Sequence, residues 1–228
     1  MEAMPDEVVA QSNGAGRFVG IGKHAKDLDF DAEPMKSLIA TLAQRKIVVD
    51  PTLVVVESLY MPDNGDLSPA YAPFVGTLPP AVERGFRTGG IKPEGGATRE
   101  DYRASFRRLE QLVGRLHAAG VPIVAGTDGS GLELVRELEL YVESGFTPED
   151  ALAAATIVPA RNVGADGHTG RIAVGMDADL ALVEGDPSHV VGDLRHVRTV
   201  MMDGKLMDAD KLRAAVGVRG PPAEGFAE

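Results

Sequence analysis

The segment that most constrains the fold is Val121 to Leu140, VPIVAGTDGSGLELVRELEL. Val121 to Ala125 is a short apolar run with the length of a buried strand. It stops at Gly126-Thr127-Asp128, which leaves a carboxylate on the strand's C-terminal tip. Gly129-Ser130-Gly131 turns the chain, and Leu134, Leu138 and Tyr141 then recur at helical spacing. Strand, tip carboxylate, glycine turn and helix make one unit of an α/β sheet. The chemistry of Asp128 depends on what flanks that unit.

Upstream the same alternation appears. Met35, Leu38, Ile39 and Leu42 fall at i, i+3, i+4 and i+7, a one-sided helix with Pro34 in its first turn. Ile47-Val48-Val49 reads as a strand that ends or kinks at Asp50-Pro51, and Leu53 to Val56 reads as its continuation. Asp50 is either a second tip carboxylate or a turn residue bonding local backbone. Thr98-Arg99-Glu100-Asp101 resembles a capping box, followed by Tyr102, Phe106, Leu109, Val113 and Leu116 on a helix that ends near Gly120. Helix, strand, loop, helix, strand, helix in this order imply a parallel sheet. Nearer the N-terminus, Arg17 to Gly22 reads as a short strand, with His24 in the loop after it.

Residues 57–97 lose periodicity and are rich in Pro and Gly, yet carry Tyr60, Tyr71, Phe74 and Phe86. A long loop with this many aromatics is expected to be a lid or pocket wall. Within it, Pro79 to Arg87 has the makings of one or two helical turns. Arg84 and Arg87 there are candidates to meet an anionic substrate group, or are simply solvated.

Past Gly145, Thr147-Pro148-Glu149-Asp150 starts another helix, with Thr as cap and Pro at the first position. The pattern then changes near residue 168. Gly170 to Gly185 alternates apolar runs with Gly and Asp turns, as in antiparallel strands. Val197 to Met202, Asp203-Gly204 and Lys205-Leu206 read as a hairpin. The expected organisation is an α/β part over 1–167, a small β part over 168–210, and a disordered tail over 211–228.

Charge and composition remove several classes of function. The 228 residues carry a formal net charge of −11, which repels nucleic acid and anionic membranes. No cysteine is present, so thiolate ligands and cysteine nucleophiles are excluded. No apolar run approaches the roughly twenty residues of a membrane helix, and Met1 to Asp6 is not a signal peptide. A soluble chain in an undetermined compartment is expected.

Gly126-Thr127-Asp128, ELELYVESGFTPEDALAAAT, PARNVG, GRIAVGMDADLALVEGDP and VRTVMMDGK, in that order, resemble the C-terminal half of the amidohydrolase superfamily. The nearest likeness is to its imidazolonepropionase-like and prolidase-like metal-dependent hydrolases. The resemblance implies the C-terminal part of a (β/α)8 barrel plus the C-terminal strands of a small β-sandwich. It implies a divalent metal, zinc foremost, with Asp128 ending the last strand as metal ligand and general base. The alternative for Asp128 is an N-cap on the following helix. A small-molecule substrate is implied, with hydrolysis of an amide or cyclic amide C–N bond, including dipeptides.

The sequence departs from the family in its ligands. It contains no His-x-His pair, and none of His24, His117, His168, His189 and His196 stands where the strand-four to strand-six ligands belong. A barrel alone takes about 250 residues, and this chain shows only two strand–helix units. The reading that follows is a portion of a longer hydrolase, completed by a missing N-terminal half or by a homo-oligomer. The competing reading is a truncated, non-catalytic chain or one half of a split assembly.

Overall fold

The computed structural model describes residues 4–10, 13–87 and 89–223. Ten α-helices and three strands appear among them. The helices are α1 (Asp6–Ala10), α2 (Gly16–His24), α3 (Met35–Gln44), α4 (Leu53–Tyr60), α5 (Pro80–Gly85), α6 (Arg99–Ala118), α7 (Leu134–Glu143), α8 (Pro148–Ala154), α9 (Ile157–Asn162) and α10 (Ala209–Ala215). The strands are β1 (Leu180–Val183), β2 (Val197–Met202) and β3 (Lys205–Asp208). The fold is mixed α/β.

The long helix α6 is the central beam. Thr98 caps it as expected: its hydroxyl accepts from the Asp101 amide at 3.1 Å while the Asp101 carboxylate accepts from the Thr98 amide at 2.7 Å. Tyr102, Phe106, Val113 and Leu116 line its buried face, where they meet Leu53, Val54 and Tyr60 of α4 and Leu138, Leu140 and Tyr141 of α7. A second small cluster, Ala25, Leu28, Phe30 and Met35, closes the other side of α6.

The two expected sheet strands survive as a single parallel bridge between Val49 and Ile123. The Val49 amide donates to Pro122 at 2.9 Å, and the Val124 amide donates to Val49 at 3.0 Å. Their tips, Asp50 and Gly126-Thr127-Asp128, therefore lie side by side.

Leu53 to Val56 does not extend the strand. Thr52 sits in the left-handed region at φ 44°, and the chain turns at once into α4. Arg17 to Gly22 is likewise helical rather than extended, lying within α2, so His24 ends a helix instead of occupying a loop. Gly22 packs so closely on Tyr102 that a Cβ there would strike the ring, and its lack of a side chain permits the contact of α2 with α6.

The C-terminal part is a three-stranded antiparallel sheet in the order β1-β2-β3. The hairpin reads as expected: Val200 pairs with Met207 and Met202 with Lys205, around Asp203 and Gly204, both at positive φ. Of the strands expected over Gly170 to Gly185, Leu180–Val183 alone forms. The segment expected to be a disordered tail, 211–228, carries most of α10 (Ala209–Ala215) among its described residues. Asp208 caps α10 through the Lys211 amide at 2.9 Å, and the Arg219 and Ala223 amides bond Thr77 and Pro73 at 2.7 Å. Residues 224–228 lie outside the described residues. No helix among the described residues is long and apolar enough to cross a membrane.

Candidate functional site

Asp128 stands exposed at the tip of the Val121–Ala125 segment, at φ 47°. That left-handed backbone is uncommon for a non-glycine residue and persists where the surroundings impose it. It is not a helix cap: α7 starts at Leu134, with Glu133 in the N-cap position. The competing structural role for Asp128 is thereby removed. No hydrogen bond or ion pair engages its carboxylate among the described residues.

Asp50 faces the same tip. Its Oδ1 accepts the Gly126 amide at 3.0 Å, and a Cβ on residue 126 would collide with this carboxylate. Gly126 is thus required for close approach of the two segments. On the other flank, buried Glu133 accepts from the Ser130 hydroxyl at 3.2 Å and from the Tyr71 hydroxyl at 2.6 Å. Tyr71 in turn stacks on Phe86, with ring centroids 3.6 Å apart and planes 2° from parallel. Tyr71 thus links the 57–97 segment to Glu133, whose carboxylate also holds Ser130 just past Asp128.

Arg84 and Arg87 are exposed on and just after α5, beside Phe86. Arg87 lies 3.9 Å from Glu83, a loose surface pair. Neither arginine is placed against Asp128 by any contact.

Two carboxylates that the sequence reading passed over lie deeper. Glu137 is fully buried; its Oε1 accepts the Leu53 amide at 2.9 Å and its Oε2 the Val54 amide at 2.6 Å, which caps α4. Burial pushes this carboxyl up to about 7, against the two backbone bonds that favour the anion. Glu57, 2% exposed, is held by Arg136 through a pair of guanidinium bonds, the shorter at 2.7 Å. Burial raises its carboxyl and Arg136 draws it back down. Arg136 also reaches Glu143 at 2.6 Å, and buried Arg195 is paired with Glu139 through both terminal nitrogens. This network ties α4, α7 and the segment before β2 together. It joins three carboxylates to two guanidiniums and does not touch the Asp128 tip.

The histidines are spread out. His117 stacks on Phe146 at 3.7 Å; His168 contacts Asp177, and His189 contacts Asp186. Among the described residues no three His, Asp or Glu side chains converge as a metal cage. One carboxylate does not satisfy a zinc ion that takes four ligands. The described residues therefore do not by themselves fit a zinc ion.

Residues 100–207 match the amidohydrolase family. The C-terminal portion of this chain is amidohydrolase-like. Solved structures agree on the fold. An amidohydrolase crystal structure is 27% identical, with a TM-score of 0.52, and the match covers 75% of this chain and 37% of that one. A Xaa-Pro dipeptidase with bound methionine is 20% identical, TM-score 0.53, covering 75% and 37%. A prolidase complexed with N-methylphosphonate-L-proline is 23% identical, TM-score 0.53, covering 76% and 38%. The match thus spans well under half the length of each of these solved structures. No curated protein matches it. The matched family segment contains the Asp128 tip, α7, β1, β2 and β3 up to Met207.

Proposed function

We propose that this chain is the C-terminal portion of a metal-dependent hydrolase that cleaves an amide or cyclic amide C–N bond, dipeptides included. The observation that carries it is Asp128: a carboxylate on a strand tip that does not cap α7 and has no partner among the described residues, inside the segment matched by the amidohydrolase family. The Val49–Ile123 pair stands for the last two strands of the barrel, with both tips at its C-terminal face, where barrel sites are built. β1, β2 and β3 stand for the C-terminal strands of the sandwich domain.

In this reading Asp128 accepts the proton of the attacking water and returns it to the leaving nitrogen. An exposed carboxylate at a tip open to a small-molecule substrate is suited to that exchange. Arg84 and Arg87, on the wall formed by residues 57–97, meet an anionic group of the substrate. A divalent metal, zinc by resemblance, would supply Lewis-acid activation if ligands beyond the described residues completed its site. Its further ligands come from outside the described residues, from an N-terminal half or a second copy.

The test compares Asp128→Asn with Asp50→Asn in the intact polypeptide that contains this chain, on Xaa-Pro dipeptides and cyclic amides. Loss of a positioned base lowers turnover roughly 10²- to 10⁴-fold. Asp128→Asn is expected in that range and Asp50→Asn well short of it. Equal turnover by Asp128→Asn and unsubstituted protein would sink the assignment.

The absence of converging ligands among the described residues favours a second reading, a non-catalytic half of an assembly. Metal analysis separates the two. Stoichiometric zinc on the 228-residue chain alone excludes the second reading; trace zinc and no hydrolysis favour it.

A further inference from the structure

α7 presents Glu133, Glu137 and Tyr141 at intervals of four residues, which places them on one stripe of the helix. Glu133 is 5% exposed, and Glu137 and Tyr141 are fully buried. Buried carboxylates are normally paired with cations. Here the partners are hydroxyl and backbone-amide hydrogen-bond donors.

Each member of the stripe grips a different piece of chain at the Asp128 end. Glu133 takes the Ser130 and Tyr71 hydroxyls. Glu137 takes the Leu53 and Val54 amides. Tyr141 donates its hydroxyl to the Val124 carbonyl at 2.8 Å. Val124 lies two residues before Gly126, and Ser130 lies two residues after Asp128. Leu53 follows Thr52, whose left-handed backbone turns the chain away from Asp50.

We propose that Glu133, Glu137 and Tyr141 are positioning residues that together fix where the Asp128 carboxylate stands. Glu137 is the central member. By holding the first amides of α4, it sets the turn at Pro51-Thr52 and so the Asp50 carboxylate that receives the Gly126 amide. The tip is then fixed from three sides: through Asp50, through Val124 and through Ser130. Two non-glycine residues held at positive φ, Thr52 and Asp128, are the strained points this arrangement imposes. The value of the device for catalysis rests on the hydrolytic role of Asp128; the positioning itself does not.

The closing experiment is amide hydrogen exchange by NMR on the folded chain carrying Glu137→Gln. The amide side chain keeps one acceptor and turns a donor toward the other N–H. Protection of Leu53, Val54 and Gly126 is expected to fall roughly tenfold or more, the loss of about 1.4 kcal/mol. Phe106 and Leu116, in the α6 core, are expected to change by less than about twofold, since local and global opening are separable. An unchanged Gly126, or an equal fall at every amide, overturns the proposal.

Tyr141→Phe is the second variant, with a smaller change in volume. It is expected to loosen Gly126 and leave Phe106 as it was. If Glu137→Gln does not fold, the Tyr141→Phe result decides by the same criterion. Hydrolysis by the unsubstituted intact polypeptide is measured separately. A positioned tip without turnover contradicts the hydrolytic role alone, whereas turnover with a Gly126 amide indifferent to both variants contradicts the stripe alone.

Discussion

Arg136→Met tests how the buried charges hold α4 against α7. In the folded chain Arg136 meets Glu57 through Nε and Nη2 and Glu143 through Nη1. Glu57 is 2% exposed, so removing the guanidinium strands a carboxylate in the core. Breaking a buried pair in this way costs about 3–5 kcal/mol. The Glu143 contact adds little, because that side chain is half exposed and pairs of that kind are worth about 0–1 kcal/mol. Urea denaturation, read as a change in midpoint at constant slope, gives the cost. Glu57→Met combined with Arg136→Met is expected to recover most of it, since an apolar pair of similar volume replaces a matched ion pair at small cost. A single variant less than about 1 kcal/mol below the parent, or a double variant no more stable than the single, refutes the reasoning.

Stability is expected to depend on pH through Glu137. Its folded value of about 7 lies above its ordinary value of 4.5, so the folded state binds more protons between those limits. The contribution is fully present below pH 4.5 and is lost as pH rises through 7, by about 3 kcal/mol. Glu110, raised to about 7 mainly by burial, titrates in the same window. Denaturation of Glu137→Gln across pH 4 to 8 is therefore expected to show a shallower fall, not a flat line. Gly126→Ala forces a methyl into the Asp50 carboxylate and is expected to cost about 1–3 kcal/mol by thermal denaturation. Thr98→Ala removes the α6 cap and is expected to cost about 1 kcal/mol in the same assay. Arg84→Ala and Arg87→Ala are expected to raise KM for carboxylate-bearing substrates and leave kcat unchanged, as loss of uniform binding requires.

Elements built on one strong periodic signal were legible. Thr98 and Asp101 announced the start of α6, Thr147 and Pro148 that of α8, and Asp203-Gly204 the hairpin. The strand ending at Asp128 was legible as a segment and as a tip, though it pairs over only one bridge. α4 was not legible, because LVVVESLY is a β-branched run after Pro51 and local propensity favours a strand. The decisive contact comes from Glu137, 83 residues on from Val54, and a tertiary cap of that kind leaves no local trace. A signal did exist in α7 itself. Glu137 lies three residues after Leu134 and four before Tyr141, within the apolar stripe, where a carboxylate must find donors or unfold the helix. Glu57 and Arg136 carried no comparable mark, since helical charges at those spacings are ordinarily solvated.

The central claim is that Asp128 is the proton-carrying carboxylate of an amidohydrolase site to which this chain contributes one tip. The most direct measurement is kcat/KM of the intact polypeptide containing this chain, with and without Asp128→Asn, on a Xaa-Pro dipeptide, with circular dichroism confirming the fold of both. A fall of roughly 10²-fold or more, with the fold unchanged, is the expected result. Undiminished hydrolysis by Asp128→Asn contradicts the claim.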